Sequence, residues 1–274
     1  MFEYEGTPEE KLQYKEELLS AKETQAQEAN LDMGYAGWKV TVPNIDELPN
    51  EQYAMLRRGG FGGSDSSILL GVNPYTTITE LIEEKARDYL TEEEKAVGNE
   101  TAVRKGRDLE PLIISKFERY FGLKTVKPKD MYRCVEHPYL TMNFDGITGN
   151  PDAYLPVEIK VVTAKGERHY NPRKAIYIEG RGFHNLPEDV SQHNISIQNK
   201  AAHYGIPPYY YTQLQQEIMA SGAHYGYLNT LYDSSWIMHT YFVWRDDKVI
   251  RDIVIQGYRN WQRVIAKNPA RALG

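Results

Sequence analysis

Residues 139–162, YLTMNFDGITGNPDAYLPVEIKVV, decide the fold of this chain. Two apolar runs meet there: the first ends at Asp145-Gly146, and the second carries Glu158-Ile159-Lys160 thirteen positions later. Because side chains alternate along a β-strand, Glu158 and Lys160 lie on one face and Ile159 on the other. Apolar residues flank the triplet on both sides, so we expect this strand in a covered sheet.

Charged side chains in a covered strand need a partner or a function. A Glu-x-Lys pair by itself is usually a solvated surface pair, since charged residues mostly lie outside. The apolar neighbours and the second acid, Asp145, favour another interpretation. Mg²⁺ binds oxygen ligands and typically takes one or two carboxylates together with substrate phosphate oxygens. Asp145, Glu158 and Lys160 therefore indicate metal-assisted hydrolysis of a phosphodiester.

The composition limits the class of protein. The 274 residues are 41% hydrophobic and 26% charged, as in ordinary globular proteins. A single cysteine, Cys134, excludes an intrachain disulfide framework and a Cys₄ metal site. No apolar run approaches the roughly 18 residues of a membrane span, so we expect a cytoplasmic protein. The net charge of −6 disfavours a nonspecific DNA coat but is compatible with a local basic channel.

Hydrophobic periodicity predicts the elements around the acids. Helical spacing of apolar residues predicts helices at 102–120, 209–221 and 249–266, and alternating runs predict strands at 139–144, 153–162, 225–232 and 236–244. We divide the chain into a helical extension with a linker, residues 1–50, and one α/β domain, residues 51–274. Residues 92–100 are expected to be a mobile charged connection, and 164–207 a long irregular polar segment.

A glycine-rich stretch, Gly59-Gly60-Phe61-Gly62-Gly63, predicts a flexible break before a helix that begins at Ser64-Asp65. Free N–H groups at a helix start bind anions. Arg57 and Arg58 lie just before this segment, so a bound phosphate and a simple helix cap are both compatible with it.

Five separated motifs between residues 51 and 266 resemble, in the same order, those of the YqaJ-like viral recombinase family. That family is similar to phage lambda exonuclease and has the PD-(D/E)xK nuclease core, an α/β fold with a central mixed sheet flanked by helices. The motifs are LRRGGFGGSD (56–65), LGVNPY (70–75), GRDLEP (106–111), HPYL with NFDG (137–146) and YTQLQ with SG (211–222).

The resemblance implies a metal site. Asp145 and Glu158 would bind Mg²⁺, for which Mn²⁺ substitutes, with the Ile159 carbonyl as a further ligand. Glu110 would support the metal directly or through water.

The resemblance also implies roles around the substrate. Lys160 would orient or activate the attacking water, and Gln213 would position Lys160 or the substrate. Arg57 and Ser64 would bind a terminal 5′-phosphate.

The implied activity is that of a Mg²⁺-dependent 5′→3′ exonuclease. It would act on double-stranded DNA ends and leave 3′ single strands for phage-type recombination in a bacterial host. Family members of the lambda type form trimeric rings, and a single-strand annealing protein is a frequent partner. Two alternatives stay open: an endonuclease or nicking enzyme with the same core, and a non-catalytic module that binds DNA or a partner.

The sequence departs from the family pattern at three places. Asn143-Phe144 stands where the family usually has Ser-Pro before the Asp-Gly pair. The 53 positions from Lys160 to Gln213 exceed the usual spacing, which implies an insertion at about 164–207. The first 50 residues have no evident counterpart.

Overall fold

The computed structural model describes residues 37–97, 101–150 and 153–272. They form a mixed α/β structure with one large and one small sheet. The strands are β1 (Trp38–Val42), β2 (Thr125–Val126), β3 (Met131–Cys134), β4 (Thr141–Met142), β5 (Ile147–Asn150), β6 (Ala153–Val162), β7 (Tyr177–Ile178), β8 (Gly182–Phe183), β9 (Tyr225–Tyr232) and β10 (Met238–Trp244). The helices are α1 (Asn50–Arg57), α2 (Ser66–Leu69), α3 (Ile78–Ala86), α4 (Glu92–Val97), α5 (Thr101–Phe121), α6 (Ile197–Tyr204), α7 (Pro208–Ser221) and α8 (Asp247–Lys267).

The large sheet has seven strands in the order β2-β5-β6-β9-β10-β7-β8. Strands β6 and β9 are parallel, with Val157 opposite Tyr227 and Glu158 opposite Leu228. The neighbouring pairs β5–β6 and β9–β10 are antiparallel. The sheet is therefore mixed, and β6, which carries the acid-x-Lys triplet, lies inside it with a strand on each side.

Helices cover both faces of this sheet. On one face, Phe117 of α5 packs against Tyr227 of β9, with 5.2 Å between the ring centroids. On the other face, Gln213 of α7 contacts Glu158 of β6. Helix α7 itself is buried along most of its length and ends at Gly222, whose φ of 72° is readily adopted by glycine. The predicted α/β class, with a mixed sheet flanked by helices, is confirmed.

The small sheet corrects two expectations. Residues 38–42, predicted as part of a linker, form β1, which pairs with β3 in the order β1-β3-β4. The run 139–144 contributes β4 to this small sheet, so Asp145 does not end a strand beside β6. Asp145 instead lies two positions before the start of β5, which pairs with β6. The apolar pattern identifies a strand, but it does not identify the partner, because pairing depends on residues far away in the chain.

The segment 164–207 is irregular over residues 184–196, as predicted, but other parts of it form strands and a helix. Strand β7 pairs with β10 and with β8, so the segment extends the large sheet by two strands. Helix α6 follows, and its Lys200 contacts Asp246, just before α8, at 2.5 Å. The polar composition of this segment predicted a loop. Composition does not reveal that Lys200 has a carboxylate partner 46 positions later in the chain.

The connection at 92–100 is also more ordered than predicted over its described part. Residues 92–97 form α4, and Glu94 accepts hydrogen bonds from Arg58 at 2.7 Å and from Arg87 at 2.6 Å. The helix predicted at the start of the extension lies outside the described residues, and the division at residue 50 stays a prediction. Within the described ranges, no helix is both long and apolar enough to span a membrane.

Candidate active site

Asp145, Glu158 and Lys160 meet at the centre of the large sheet. The Lys160 ammonium forms an ion pair with Glu158 Oε1 and lies 3.9 Å from Asp145 Oδ2. The same Asp145 oxygen accepts the backbone N–H of Ile159 at 3.1 Å. The Ile159 side chain is buried, as the strand alternation predicts. The structure therefore brings these four residues together, and the predicted metal contact of the Ile159 carbonyl stays a prediction.

The glycine after Asp145 permits this arrangement. A Cβ atom at Gly146 would lie 2.7 Å from Thr125 Cγ2 of β2 and 3.5 Å from Val157 Cβ of β6. A side chain at that position would push β2 away from β5. The small residue thus keeps the strands close, so that the Asp145 carboxylate reaches the Ile159 backbone.

Helix α7 completes the site with two polar side chains one turn apart. Gln213 Nε2 donates to Glu158 Oε1 at 2.5 Å and lies 3.1 Å from Glu217 Oε1. Glu217 is 2% exposed and interacts with Glu158 as well. The sequence prediction included Gln213 but missed Glu217. Its spacing of four residues from Gln213, which places both on one helix face, was the available signal.

The charges at this site perturb one another. Burial and the neighbouring Asp145 carboxylate raise the pKa of Glu158 to about 7. Burial and the Glu158 carboxylate raise the pKa of Glu217 well above its ordinary value. Burial lowers the pKa of Lys160, but Glu158 and Asp145 outweigh burial and raise it above its ordinary value. The two carboxylates thus favour the charged form of Lys160.

The donor set fits a hard divalent cation. Among the described residues, no three His, Cys, Asp or Glu side chains form a ready-made metal cluster. Mg²⁺ does not require one, because one or two carboxylates suffice when water and phosphate oxygens supply the other ligands. The raised pKa of Glu158 is caused first by burial and then by the Asp145 carboxylate, and a cation bound by both carboxylates would oppose both effects.

Glu110 lies in α5 and pairs with Lys127 at 2.7 Å. This places the carboxylate near the end of β2, the strand that pairs with β5. Its predicted support of the metal site stays a prediction.

The glycine-rich segment lies against the acid site. Arg57 Nη2 donates to the exposed Ser64 Oγ at 2.9 Å, and the predicted binding of a 5′-phosphate by this pair stays a prediction. A Cβ atom on Gly63 would lie 3.4 Å from Gln213 Cγ and 3.6 Å from Glu217 Oε1. The glycine-rich segment with the Arg57–Ser64 pair is therefore a near neighbour of Gln213 and Glu217.

Two details of the segment differ from the sequence prediction. Arg58 is 1% exposed and bonded to Glu94, so it is not available to a phosphate. The helix after Ser64 is α2, which has only four residues, and Asp65 pairs with Lys85 at 2.8 Å. A helix this short has almost no dipole, so anion binding here depends on side chains.

Residues 52–224 match the family model of the YqaJ-like viral recombinase domain. The chain belongs to this family. The match covers the glycine-rich segment, α7 and three of the predicted site residues, Glu110, Asp145 and Glu158.

Individual relatives are more distant. The uncharacterized protein YqaJ of Bacillus subtilis (strain 168) is 30% identical over 118 residues, which are 43% of this chain and 35% of that protein. The match thus spans about a third of that relative. An alkaline exonuclease of Laribacter hongkongensis has a TM-score of 0.49 and 16% identity, over 79% of this chain and 93% of that one. A phage related exonuclease from Haemophilus somnus 129PT has a TM-score of 0.42 and 15% identity, over 76% and 96%.

Proposed function

We propose that this chain is a metal-dependent deoxyribonuclease that removes nucleotides from the ends of double-stranded DNA. The observation that carries the proposal is the contact of the Lys160 ammonium with Glu158, 3.9 Å from Asp145, inside a covered sheet. Two acids and a lysine fixed in this way suit phosphodiester hydrolysis. Membership of a viral recombinase family supports DNA as the substrate.

Each residue of the site has a separate role in the proposed reaction. Asp145 and Glu158 would hold Mg²⁺, or Mn²⁺ in its place, and the bound metal would lower the pKa of its water and offset charge on the phosphate. Lys160, as a cation, stabilises the charge that develops on the scissile phosphate and orients the attacking water. Gln213 holds the Glu158 carboxylate in position through its amide. The phosphodiester is thus bound and polarised by groups that are in place before the substrate arrives.

The finer parts of the proposal follow from the family resemblance. They are 5′→3′ polarity, production of 3′ single strands for recombination, a trimeric ring and cooperation with a single-strand annealing protein. The Arg57–Ser64 pair supports the polarity, because a guanidinium and a hydroxyl beside the metal site suit a terminal 5′-phosphate.

Nucleotide release from defined DNA tests the proposal. The purified chain is incubated with Mg²⁺ and either a linear 5′-phosphorylated duplex or covalently closed circular DNA, and Asp145→Asn serves as control. We expect nucleotides from the linear duplex only, and none from the variant. Cutting of the circle at a comparable rate would favour the endonuclease alternative. No release from either DNA, or equal release by the variant, would contradict a nuclease.

A further inference from the structure

The run Tyr209-Tyr210-Tyr211 at the start of α7 is separated by the fold into three environments. Tyr211 is fully buried and donates to Asp246 at 2.8 Å, so it belongs to the core. The Tyr210 ring lies under Lys160, with 5.4 Å from Nζ to its centroid. Tyr209 contacts Tyr75 from the LGVNPY motif, with 5.9 Å between centroids. The run therefore connects the catalytic lysine to a residue on the surface.

Tyr75 is the outer end of this row, and its ring is 75% exposed. A single exposed aromatic residue is ordinary on a protein surface. Tyr75 differs because a continuous row of ring contacts leads from it to the site. The Tyr209 and Tyr210 centroids are 4.6 Å apart, and Tyr210 is the ring beneath Lys160.

The loop that carries Tyr75 is held in place. The Asn73 side-chain oxygen accepts the backbone N–H groups of Tyr75 at 2.8 Å and Thr76 at 3.0 Å. The Asn73 amide in turn donates to Ser67 Oγ at 2.9 Å. An exposed ring on a fixed turn loses little conformational entropy when it binds a flat partner, in contrast to a ring on a mobile loop.

We propose that Tyr75 and Tyr209 form a stacking surface for a nucleobase next to the scissile phosphate. The inference rests on the proposed function, because that function places a nucleotide chain over Lys160. Aromatic side chains bind bases of any sequence by stacking, which suits an enzyme that must move through arbitrary DNA. The contacts among Tyr210, Tyr209 and Tyr75 lead away from Lys160. A base stacked on Tyr75 therefore belongs to a nucleotide beside the scissile phosphate, not to the phosphate at Lys160 itself.

A double-mutant cycle, in which a substitution in the protein is combined with a missing base in the DNA, tests this surface. Binding of a 5′-phosphorylated duplex is measured in Ca²⁺, so that affinity is obtained without turnover. A second set of duplexes carries one abasic site at each of the nucleotides nearest the end. For Tyr75→Ala we expect binding to weaken roughly tenfold on intact DNA. On the duplex that lacks the stacked base, the same substitution should have no effect, because the two changes remove one interaction.

Two variants complete the design. Tyr75→Phe keeps the ring and should bind like the wild type. Tyr258→Ala removes another exposed tyrosine, 56% exposed on α8, and should also bind like the wild type. Thermal unfolding confirms that each variant is folded. The proposal is overturned if Tyr75→Ala binds normally, if its loss is the same on every abasic duplex, or if Tyr75→Phe loses as much as Tyr75→Ala.

The nuclease proposal is judged separately by nucleotide release in Mg²⁺. A wild-type chain that binds with the expected coupling but releases no nucleotides would contradict the nuclease and leave the stacking surface intact. Normal nucleotide release by a chain in which Tyr75→Ala has the same effect on every duplex would support the nuclease and contradict the stacking surface.

Discussion

Gln213 donates its side-chain N–H to Glu158, with 2.5 Å between Nε2 and Oε1. The contact joins α7 to the central strand β6 across 55 positions of the chain. Glu158 is 1% exposed, so this amide and the Lys160 ammonium are needed to stabilise a carboxylate that has left water. The orientation of Glu158, a proposed metal ligand, therefore depends on α7, which supplies none of the proposed ligands.

The first prediction concerns this amide. Gln213→Met keeps the size of the side chain and removes both donors, so Glu158 should lose its fixed orientation. We expect the Mg²⁺ concentration for half-maximal nucleotide release to rise about 10–100-fold, as is typical when a residue behind a metal ligand is lost. Gln262→Met, at an exposed position of α8, is the matched control. An unchanged Mg²⁺ dependence in Gln213→Met would exclude the positioning role.

The second prediction concerns pH in the absence of metal. The pKa of Glu158 is raised to about 7 by burial and by Asp145, and the pKa of Glu217 is raised by burial and by Glu158. Since the unfolded carboxyls ionise near 4.5, the unfolded state releases its protons first, and the contribution of these two carboxyls to stability should fall as pH rises from about 4.5 through 7.

Glu217→Gln should weaken this dependence, because it removes one of the two carboxyls without removing the contact. We expect the melting temperature of the variant to exceed that of the wild type at pH 8 in EDTA, and to exceed it by a smaller margin at pH 5. Thermal unfolding at both values measures the difference. Equal shifts at both values would show that Glu217 does not titrate with folding.

The third prediction concerns the buried pair that attaches the segment 164–207. Lys200 and Asp246 are 2.5 Å apart and almost fully buried. Lys200→Met leaves the Asp246 carboxylate without its cation, and loss of one partner of such a pair costs about 3–5 kcal/mol. Urea unfolding should show this loss. The exposed Lys248→Met, next to the same carboxylate in sequence, should change stability by no more than about 0.5 kcal/mol.

The fourth prediction concerns the proposed 5′-phosphate contact. Arg57→Gln removes a charged donor that is hydrogen-bonded to Ser64. The preference for 5′-phosphorylated over 5′-hydroxyl ends should fall roughly tenfold, which corresponds to the loss of one hydrogen bond to a charged group. Initial rates on the two duplexes give the preference directly. Arg251→Gln, at an exposed position of α8, should leave it unchanged, and a preserved preference in Arg57→Gln would assign the phosphate to other residues.

The fifth prediction concerns His239 in β10. Burial, followed by the nearby Arg181 charge, lowers the pKa of His239 to about 4. The unfolded histidine binds its proton near 6.5, so the contribution of His239 to stability should be complete above that pH and be lost as pH drops from 6.5 towards 4, opposite in sign to the contribution of the two carboxyls. His239→Phe removes this titration, so on lowering the pH from 6.5 to 4 the unfolding free energy of the variant should rise relative to that of the wild type. A variant that follows the wild-type curve would assign the acid sensitivity to other groups.

The sequence predicted those features whose cause lies within a few residues. Alternation around Ile159 placed Glu158 and Lys160 on one face, and the structure confirms their contact. Apolar spacing located α5, α7 and α8 to within a few residues at each end. The ordered motifs led to the family, which the match over residues 52–224 confirms. Each of these signals is local, because strand alternation and helix periodicity repeat within one or two turns.

The tertiary structure decided which distant residues meet. Arginine and lysine are usually surface residues, yet two of them are buried here beside carboxylates far along the chain. Arg58 pairs with Glu94, and Lys200 pairs with Asp246. The spacing of Glu217 from Gln213 places both on one helix face, but only the packing of α7 against β6 brings Glu217 to Glu158. A charge is stabilised in the interior only by partners that the fold brings to it, so its burial depends on long-range packing. The sequence alone therefore indicated that Asp145, Glu158 and Lys160 belong together, and packing decided what surrounds them.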